Sequence, residues 1–372
     1  NKLIAENKPV VYDYILQNKY PAQHIEKPYV NQFHFDTYKL NDYLQRLCVE
    51  RDIKITDDEI VKVELDKDNG NIKLVKSEKN YYTADFFIDC TGFKRLLINE
   101  LGGEWDSYSK YLKLKSAIVF PTPEENNYNM WTEAKAMKYG WRFKIPVQGR
   151  CGNGYIYDSD YTSKDKAKEE VEKDLGFEVD VRKEINFEAG ALKKTWIKNC
   201  VAVGLSANFI EPLEASSIGS SIRSAYVLSQ HLVSYDDTTI NYYNENITSI
   251  NENIRDFVAL HYVTDRSDSK FWQDQKDVPL PDSLKGKLDL WKTRLPCLDD
   301  FRGDSGYILF WAENFLVVME GLNMIDRDMA RHQYNMLNNY TKQYCDYFEA
   351  DKKAIMEKWN MIDHKEAIKL IL

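Results

Sequence analysis

A mixed α/β fold with a mainly helical C-terminal region is what the sequence predicts, and three observations predict it. Two short apolar segments, residues 84–88 and 200–205, each read as a buried strand that ends at a turn carrying a glycine. Alternating patterns typical of strands fill residues 113–162. Beyond Ser216 the pattern is helical to the end, without a low-complexity linker or an internal repeat.

The elements follow in order. Residues 1–30 show little periodicity. From Asp36 the pattern turns helical, with Leu40, Tyr43, Leu44 and Leu47 on one stripe and Asp36 placed as the N-cap. Strands over residues 60–65 and 72–76 flank Asp68-Asn69-Gly70-Asn71, and an Asn-Gly between alternating segments is a hairpin signal. The strand at 84–88 stops at Asp89-Cys90-Thr91-Gly92, and a helix is expected over 94–101 before Gly102-Gly103. Strands at 141–145 and 155–157 flank a turn-rich stretch, 148–154. On the first, Trp141 and Phe143 share one face, and Arg142 and Lys144 the other. A capped helix runs from Ser163 to Leu175-Gly176, and its charge run over 164–173 reads as a solvated face. A change of character near 235 is the one candidate boundary.

Composition narrows the function. Lys and Arg number 50 against 59 Asp and Glu, a net charge of −9, which argues against nucleic acid as the main partner. No apolar run approaches the roughly 18 residues that span a membrane, and no signal peptide opens the chain. The six cysteines lie far apart, and no Cys or His pair has zinc-ligand spacing, so no metal site is expected. Buried reduced thiols in a cytoplasmic protein are the expectation. With 13% aromatic residues the chain reads as a globular enzyme or binding protein.

Three segments carry candidate chemistry. Residues 199–222 combine a buried strand, Gly204 at its C-terminal end, a turn held by Pro212 and a helix start of small residues. Open α/β sheets bind ligands outside the carboxyl ends of their strands, and a helix start suits an anion. Ser216 and Ser217 would let a ligand reach that backbone, and Glu214 lies just before it, placed to cap the helix or to act in a cleft. A capped helix after a core strand fits the same spacing. The second segment, 85–93, puts Gly92 where a cofactor can lie close to backbone. The third is Gly140-Trp-Arg-Phe-Lys-Ile-Pro146, whose aromatics at period two also fit a plain core strand. His261, in a Leu-His-Tyr stretch, reads as a hydrogen-bonded structural histidine rather than a base.

Together these segments resemble the flavin-dependent halogenases of the tryptophan-halogenase type. Phe-Phe-Ile-Asp-Cys-Thr-Gly-Phe-Lys-Arg-Leu-Leu-Ile-Asn (86–99) is similar to a strand-to-helix passage of that family. Residues 140–146 resemble its W-x-W-x-I-P signature, and Gly-Leu-Ser-Ala-Asn-Phe-Ile-Glu-Pro-Leu-Glu (204–214) its Glu-Pro-Leu-Glu turn. Arg-Asp-Phe-Val-Ala-Leu-His-Tyr (255–262), with Arg266 and Phe271-Trp272, is similar to its helical substrate region. His34-Phe35-Asp36 matches a shorter element.

The resemblance implies a flavin-monooxygenase-like FAD-binding module with mixed sheets over residues 1–235 and a helical substrate-binding region over 236–372. It further implies FADH2 from a separate reductase, oxygen, a flavin hydroperoxide, and hypohalous acid that travels through a tunnel to an electron-rich aromatic ring such as an indole or phenol. Such separation keeps reduced flavin from the substrate and stray water from the oxidant. Glu214 matches the catalytic carboxylate. Gly92, Gly204, Leu205 and Ile218 match flavin-binding positions, and the amides of Ser216 and Ser217 match the halide site. Trp141 and Phe143 match the wall between flavin and tunnel. Phe310 and Trp311 fall near the aromatic residues that sandwich substrate, with core packing equally open. A homo-oligomer is left open.

The departures are specific. Phe143 stands for the second tryptophan of the signature, Ala215 for a serine and Ser217 for a glycine, which leaves halide preference open. No Gly-x-Gly-x-x-Gly occurs in the chain, and 16 glycines in 372 residues fall below the usual share of roughly 7%. The family's catalytic lysine lies before the part this chain resembles, so no lysine here takes its role. With Asn1 as the first residue, an N-terminal βαβ unit is expected to be missing and the working protein to be longer. A flavin hydroxylase and a non-catalytic aromatic-binding remnant are the alternatives.

Overall fold

The computed structural model describes residues 34–125, 129, 131–232, 234 and 236–358. The described chain divides into two compact units. One takes the residues up to Ile55, Ser116–Ile185 and those from Arg331 on; the other takes Thr56–Lys115 and Asn186–Ala330.

Helix α1 (Thr37–Glu50) starts where the sequence predicts: the Asp36 carboxylate accepts from the amides of Tyr38 and Lys39. Its apolar stripe is not buried; Tyr43 and Leu44 are exposed. Strands β1 (Ile60–Leu65) and β2 (Ile72–Ser77) form the expected antiparallel hairpin, with Gly70 at φ 70°, and β3 (Tyr81–Tyr82) adds to β2. Strand β4 (Phe87–Asp89) ends at the predicted turn, but residues 94–101 are not an α-helix. Two 3-10 turns, Gly92–Lys94 and Ile98–Leu101, replace it, with Arg95 at φ 50° between them. A left-handed residue in mid-segment breaks the helical hydrogen-bond ladder.

After β5 (Trp105–Ser107) the first unit resumes with β6 (Ser116–Pro123), β7 (Glu133–Met137), β8 (Gly140–Val147) and β9 (Arg150–Tyr157). The predicted turn-rich stretch at 148–154 shrinks to Gln148-Gly149, with Gly149 at φ 81°. Residues 150–154 are strand because each pairs with β6 on one side and with β8 on the other. Helix α2 (Lys164–Leu175) is capped by Ser163 and closed by a left-handed Gly176, and its Ala167 and Val171 pack with Ile118, Phe120, Tyr155 and Tyr157. Of its charges Lys164, Asp165, Lys166, Glu169 and Lys173 are exposed as expected, whereas Lys168, Glu170, Glu172 and Asp174 are half-buried, and Glu170 accepts from the Tyr155 hydroxyl. With β10 (Lys183–Asn186) the sheet order is β10-β6-β9-β8-β7.

The second unit continues with β11 (Gly190–Leu192), β12 (Trp196–Ile197), β13 (Cys200–Ala202) and β14 (Asn208–Phe209). Two three-stranded sheets result, β14-β11-β5 and β12-β13-β4. The helices of this unit are α3 (Ser216–His231), α4 (Asp237–Leu260), α5 (Lys270–Gln275), α6 (Asp282–Trp291) and α7 (Ala312–Gly321); α8 (Arg327–Met336) runs across the division, and α9 (Asn339–Lys358) belongs to the first unit. On α4 the residues Tyr243, Ile247, Ile250, Ile254 and Phe257 form a helical stripe in a core with Trp196, Val227, Leu284 and Phe315. Its Asn244 bonds the amides of Thr195 and Trp196 and the Trp196 carbonyl, so the polar group is buried at little cost. Asn253 does the same for the backbone of Phe310.

Among the described residues all six cysteines are free; Cys151 and Cys200 are buried as expected, whereas Cys90 and Cys297 are exposed. No helix of these residues is long and apolar enough to cross a membrane.

Candidate functional site

The two apolar strands are neighbours. β4 and β13 pair in parallel, with Asp89 opposite Ala202, so both chains leave the sheet on the same side. Each then turns at a glycine of positive φ, Gly92 at 70° and Gly204 at 68°. Asp89, fully buried, joins the two turns. Its carboxylate accepts from the Thr91 amide (2.9 Å), the Thr91 hydroxyl (2.7 Å), the amides of Leu97 and Ile98 (2.9 Å each) and the Ser206 hydroxyl (3.2 Å). Ser206 Oγ lies equally close to the Gly92 carbonyl. Neither Asp89 nor Ser206 is singled out by sequence reasoning; the only signal for the first is an acidic residue closing an apolar run.

From β14 the chain enters the Pro212–Glu214 turn, which begins after Glu211 at φ 20° and ends at Ala215 at φ 50°. Ala215 is also the N-cap of α3 and offers no side-chain acceptor. The expectation of an ordinary capped helix therefore does not hold: among the described residues no side chain caps the first turn of α3, at Ser216 and Ser217, which is the positive end of the helix dipole. Hydroxyls of Ser220 and Ser221 bond back to the Ser217 carbonyl and leave the amides of that turn untouched.

Glu214 does not cap α3. Its Oε1 lies 2.9 Å from Nε2 of His261, the residue that closes α4. The other ring nitrogen, Nδ1, is 2.9 Å from the Phe257 carbonyl. The sequence reading of His261 as hydrogen-bonded is met, but its partner is the candidate catalytic carboxylate, which residue spacing had no means of showing. Next to it, the Tyr262 hydroxyl donates to Glu211 at 2.5 Å.

Gly92, Gly204, Leu205, Glu214, Ser216, Ser217 and Ile218 thus all belong to the second unit, on consecutive turns and the α3 start. Trp141 and Phe143 belong to the first, on β8. Their rings lie 6.1 Å apart, and Phe143 lies over Gly154, where a Cβ would come within 2.4 Å of the ring. The Trp141 indole N–H is buried with no acceptor among the described residues. The opposite face of β8 is not simply solvated: Arg142 is buried and ion-paired with Glu133 (2.9 Å) and Asp174 (3.3 Å). Phe310 stacks on Phe257 at 4.0 Å within the core of the second unit, and Trp311, half-buried, stands before α7.

The residues present fit one side of a flavin ring. A Cβ at Gly92 would project into open space, and one at Gly204 would meet only Ser221 Oγ, at 3.5 Å. Leu205 and Ile218 turn apolar side chains outward, 37% and 53% exposed. The glycine-rich pyrophosphate fingerprint is not in the chain. No group of acidic, His and Cys side chains suited to a metal ion occurs among the described residues.

Comparison with known proteins identifies the family. The tryptophan halogenase family pattern matches residues 13–337. Tryptophan 7-halogenase RebH of Lentzea aerocolonigenes is 32% identical over 317 residues, 79% of this chain and 59% of that protein. Tryptophan 6-halogenase SttH of Streptomyces toxytricini is 33% identical over 273 residues, 71% of this chain and 52% of its own length. A solved flavin-dependent halogenase from Xanthomonas campestris superposes with a TM-score of 0.84 at 27% identity, covering 96% of this chain and 73% of that one. The chain therefore spans just over half the length of these two curated relatives, and by the extent of the match it belongs to the tryptophan halogenase family.

Proposed function

We propose that the chain acts as a flavin-dependent halogenase on an electron-rich aromatic small molecule, with FADH2 delivered by a separate reductase. The observation that carries this reading is the pair formed by a bare helix start at Ser216 and Ser217 and a carboxylate, Glu214, just before it. Reduced FAD, when bound, supplies with oxygen the oxidising power that turns a halide into an electrophile.

The chain's own residues do the rest. Gly92, Gly204, Leu205 and Ile218 would hold the flavin, the glycines by close backbone approach and the other two by apolar contact. The amides of Ser216 and Ser217 bind the halide at the positive end of α3. Glu214 presents negative charge to the cationic ring that forms when the aromatic substrate is attacked. Trp141 and Phe143 wall the oxidant from water. Phe310, held in the core, supports the region from behind, and Trp311 is the more accessible substrate contact.

The test supplies FAD, a flavin reductase, NADH, oxygen and chloride, bromide or iodide with a panel of indoles and phenols, and reads products by mass. A brominated or chlorinated product is expected, and Glu214→Gln is expected to lower kcat by roughly 10²-fold or more. A product that has gained one oxygen and no halogen would instead assign a hydroxylase, the reading that Phe143 and Ser217 keep open. No turnover with any halide, and no FAD bound, would leave the aromatic-binding remnant.

A further inference from the structure

We infer that His261 is the positioning residue of Glu214: it holds one proton at Nε2 against the carboxylate and keeps that carboxylate aimed. The role given to Glu214 rests on the halogenase reading, but the pairing itself does not.

The argument begins with the acceptor on the far side of the ring. Nδ1 faces the Phe257 carbonyl at 2.9 Å, and a carbonyl oxygen only accepts, so Nδ1 carries a hydrogen. A neutral imidazole with that hydrogen has a lone pair at Nε2. Such a lone pair 2.9 Å from an ionised Oε1 would be two acceptors face to face, so the contact needs one shared proton. An imidazolium donating to a carboxylate satisfies both atoms and adds opposite charges.

The ring has little freedom to turn away. The Phe257 ring meets it edge to face at 5.1 Å, and Phe310 stacks behind Phe257 at 4.0 Å. The turn that carries Glu214 needs such a support, because non-glycine residues of positive φ, Glu211 and Ala215, bound it. A second clamp stands beside the first: Tyr262, stacked on Trp272, donates to Glu211 at the start of the same turn. Consecutive residues at the end of α4 thus grip both glutamates of Glu-Pro-Leu-Glu. The other titratable groups that the turn and this helix end bring to the pair are Glu211 and Tyr262, which bond each other.

The deciding experiment is two-bond 1H–15N NMR of 15N-histidine protein at pH 7, with the His261 signal assigned by its loss in His261→Gln. The wild type is expected to show both His261 nitrogens protonated, and Glu214→Gln to shift that signal to the neutral form with hydrogen at Nδ1. A neutral ring with a bare Nε2 in the wild type, unchanged in Glu214→Gln, would overturn the proposal. In the flavin-loaded protein, His261→Gln is expected to lower kcat about 10-fold with KM for the aromatic substrate unchanged. Full kcat in that variant would also overturn it. If the wild type makes no halogenated product, the halogenase reading fails while the NMR result still decides the pairing.

Discussion

Replacing Asp89 by alanine tests whether one buried carboxylate organises both glycine turns. The substitution leaves the amides of Thr91, Leu97 and Ile98 without an acceptor, and the last two of these are buried. Each orphaned buried donor costs roughly 1–3 kcal/mol, so the two together cost about 2–6 kcal/mol. Relief of a buried charge offsets part of this, which brings the expected loss to about 3 kcal/mol. The hydroxyls of Thr91 and Ser206 add little, because they can rotate to other acceptors. Asp89→Asn is the informative comparison. Its oxygen can serve Leu97 and Ile98 while its amide group faces the two hydroxyls, which leaves only the Thr91 amide unpaired and a loss of roughly 1–2 kcal/mol. Urea unfolding followed by circular dichroism gives the loss for the whole chain. Because the chain has two units, hydrogen exchange at the Leu97 and Ile98 amides supplies the local reading. If Asp89→Ala costs less than about 1 kcal/mol and leaves both amides protected, the carboxylate is not what holds the turns.

Gly140→Ala would bring a Cβ to 2.0 Å from the Ile156 carbonyl, at a backbone φ of 155°. It is expected to cost more than about 3 kcal/mol, seen as loss of soluble protein or of the near-ultraviolet signal of Trp141. Thiol labelling of the native protein at pH 8 is expected to modify Cys90 and Cys297 and to spare Cys151 and Cys200 until unfolding, since burial pushes the Cys200 thiol up to about 12. At Asp300 burial alone would raise the carboxyl, but hydrogen bonds from Arg294, the Cys297 amide and Trp291 outweigh it and hold the group at about 2. A lowered folded value means stability that is present above an unfolded pKa of about 3.9 and is lost as pH falls through about 2. The stability advantage of wild type over Asp300→Asn should therefore shrink from pH 5 to pH 2.5 in urea titrations.

What sequence reasoning reached and what it missed divide along the range of the interactions involved. The Asp36 and Ser163 caps, the hairpin at Asn69-Gly70 and the Gly176 stop depend on side chains within a few residues of the backbone they satisfy, so spacing finds them. The helix expected over 94–101 failed for a long-range reason. Asp89 draws the amides of Leu97 and Ile98 to itself, and Ser206, more than a hundred residues on, completes that carboxylate's shell. The same limit governs the site. The glycines, the small residues of the α3 start and Glu214 sit in two contiguous segments and could be read as candidates. The partner of Glu214 comes from the end of another helix, 47 residues along. A lone histidine in an apolar stretch looks structural because its carbonyl partner is local and its carboxylate partner is not. Structural and site roles are not alternatives at such a position: the bond to Phe257 that makes His261 look like part of the scaffold is the one that turns Nε2 toward Glu214.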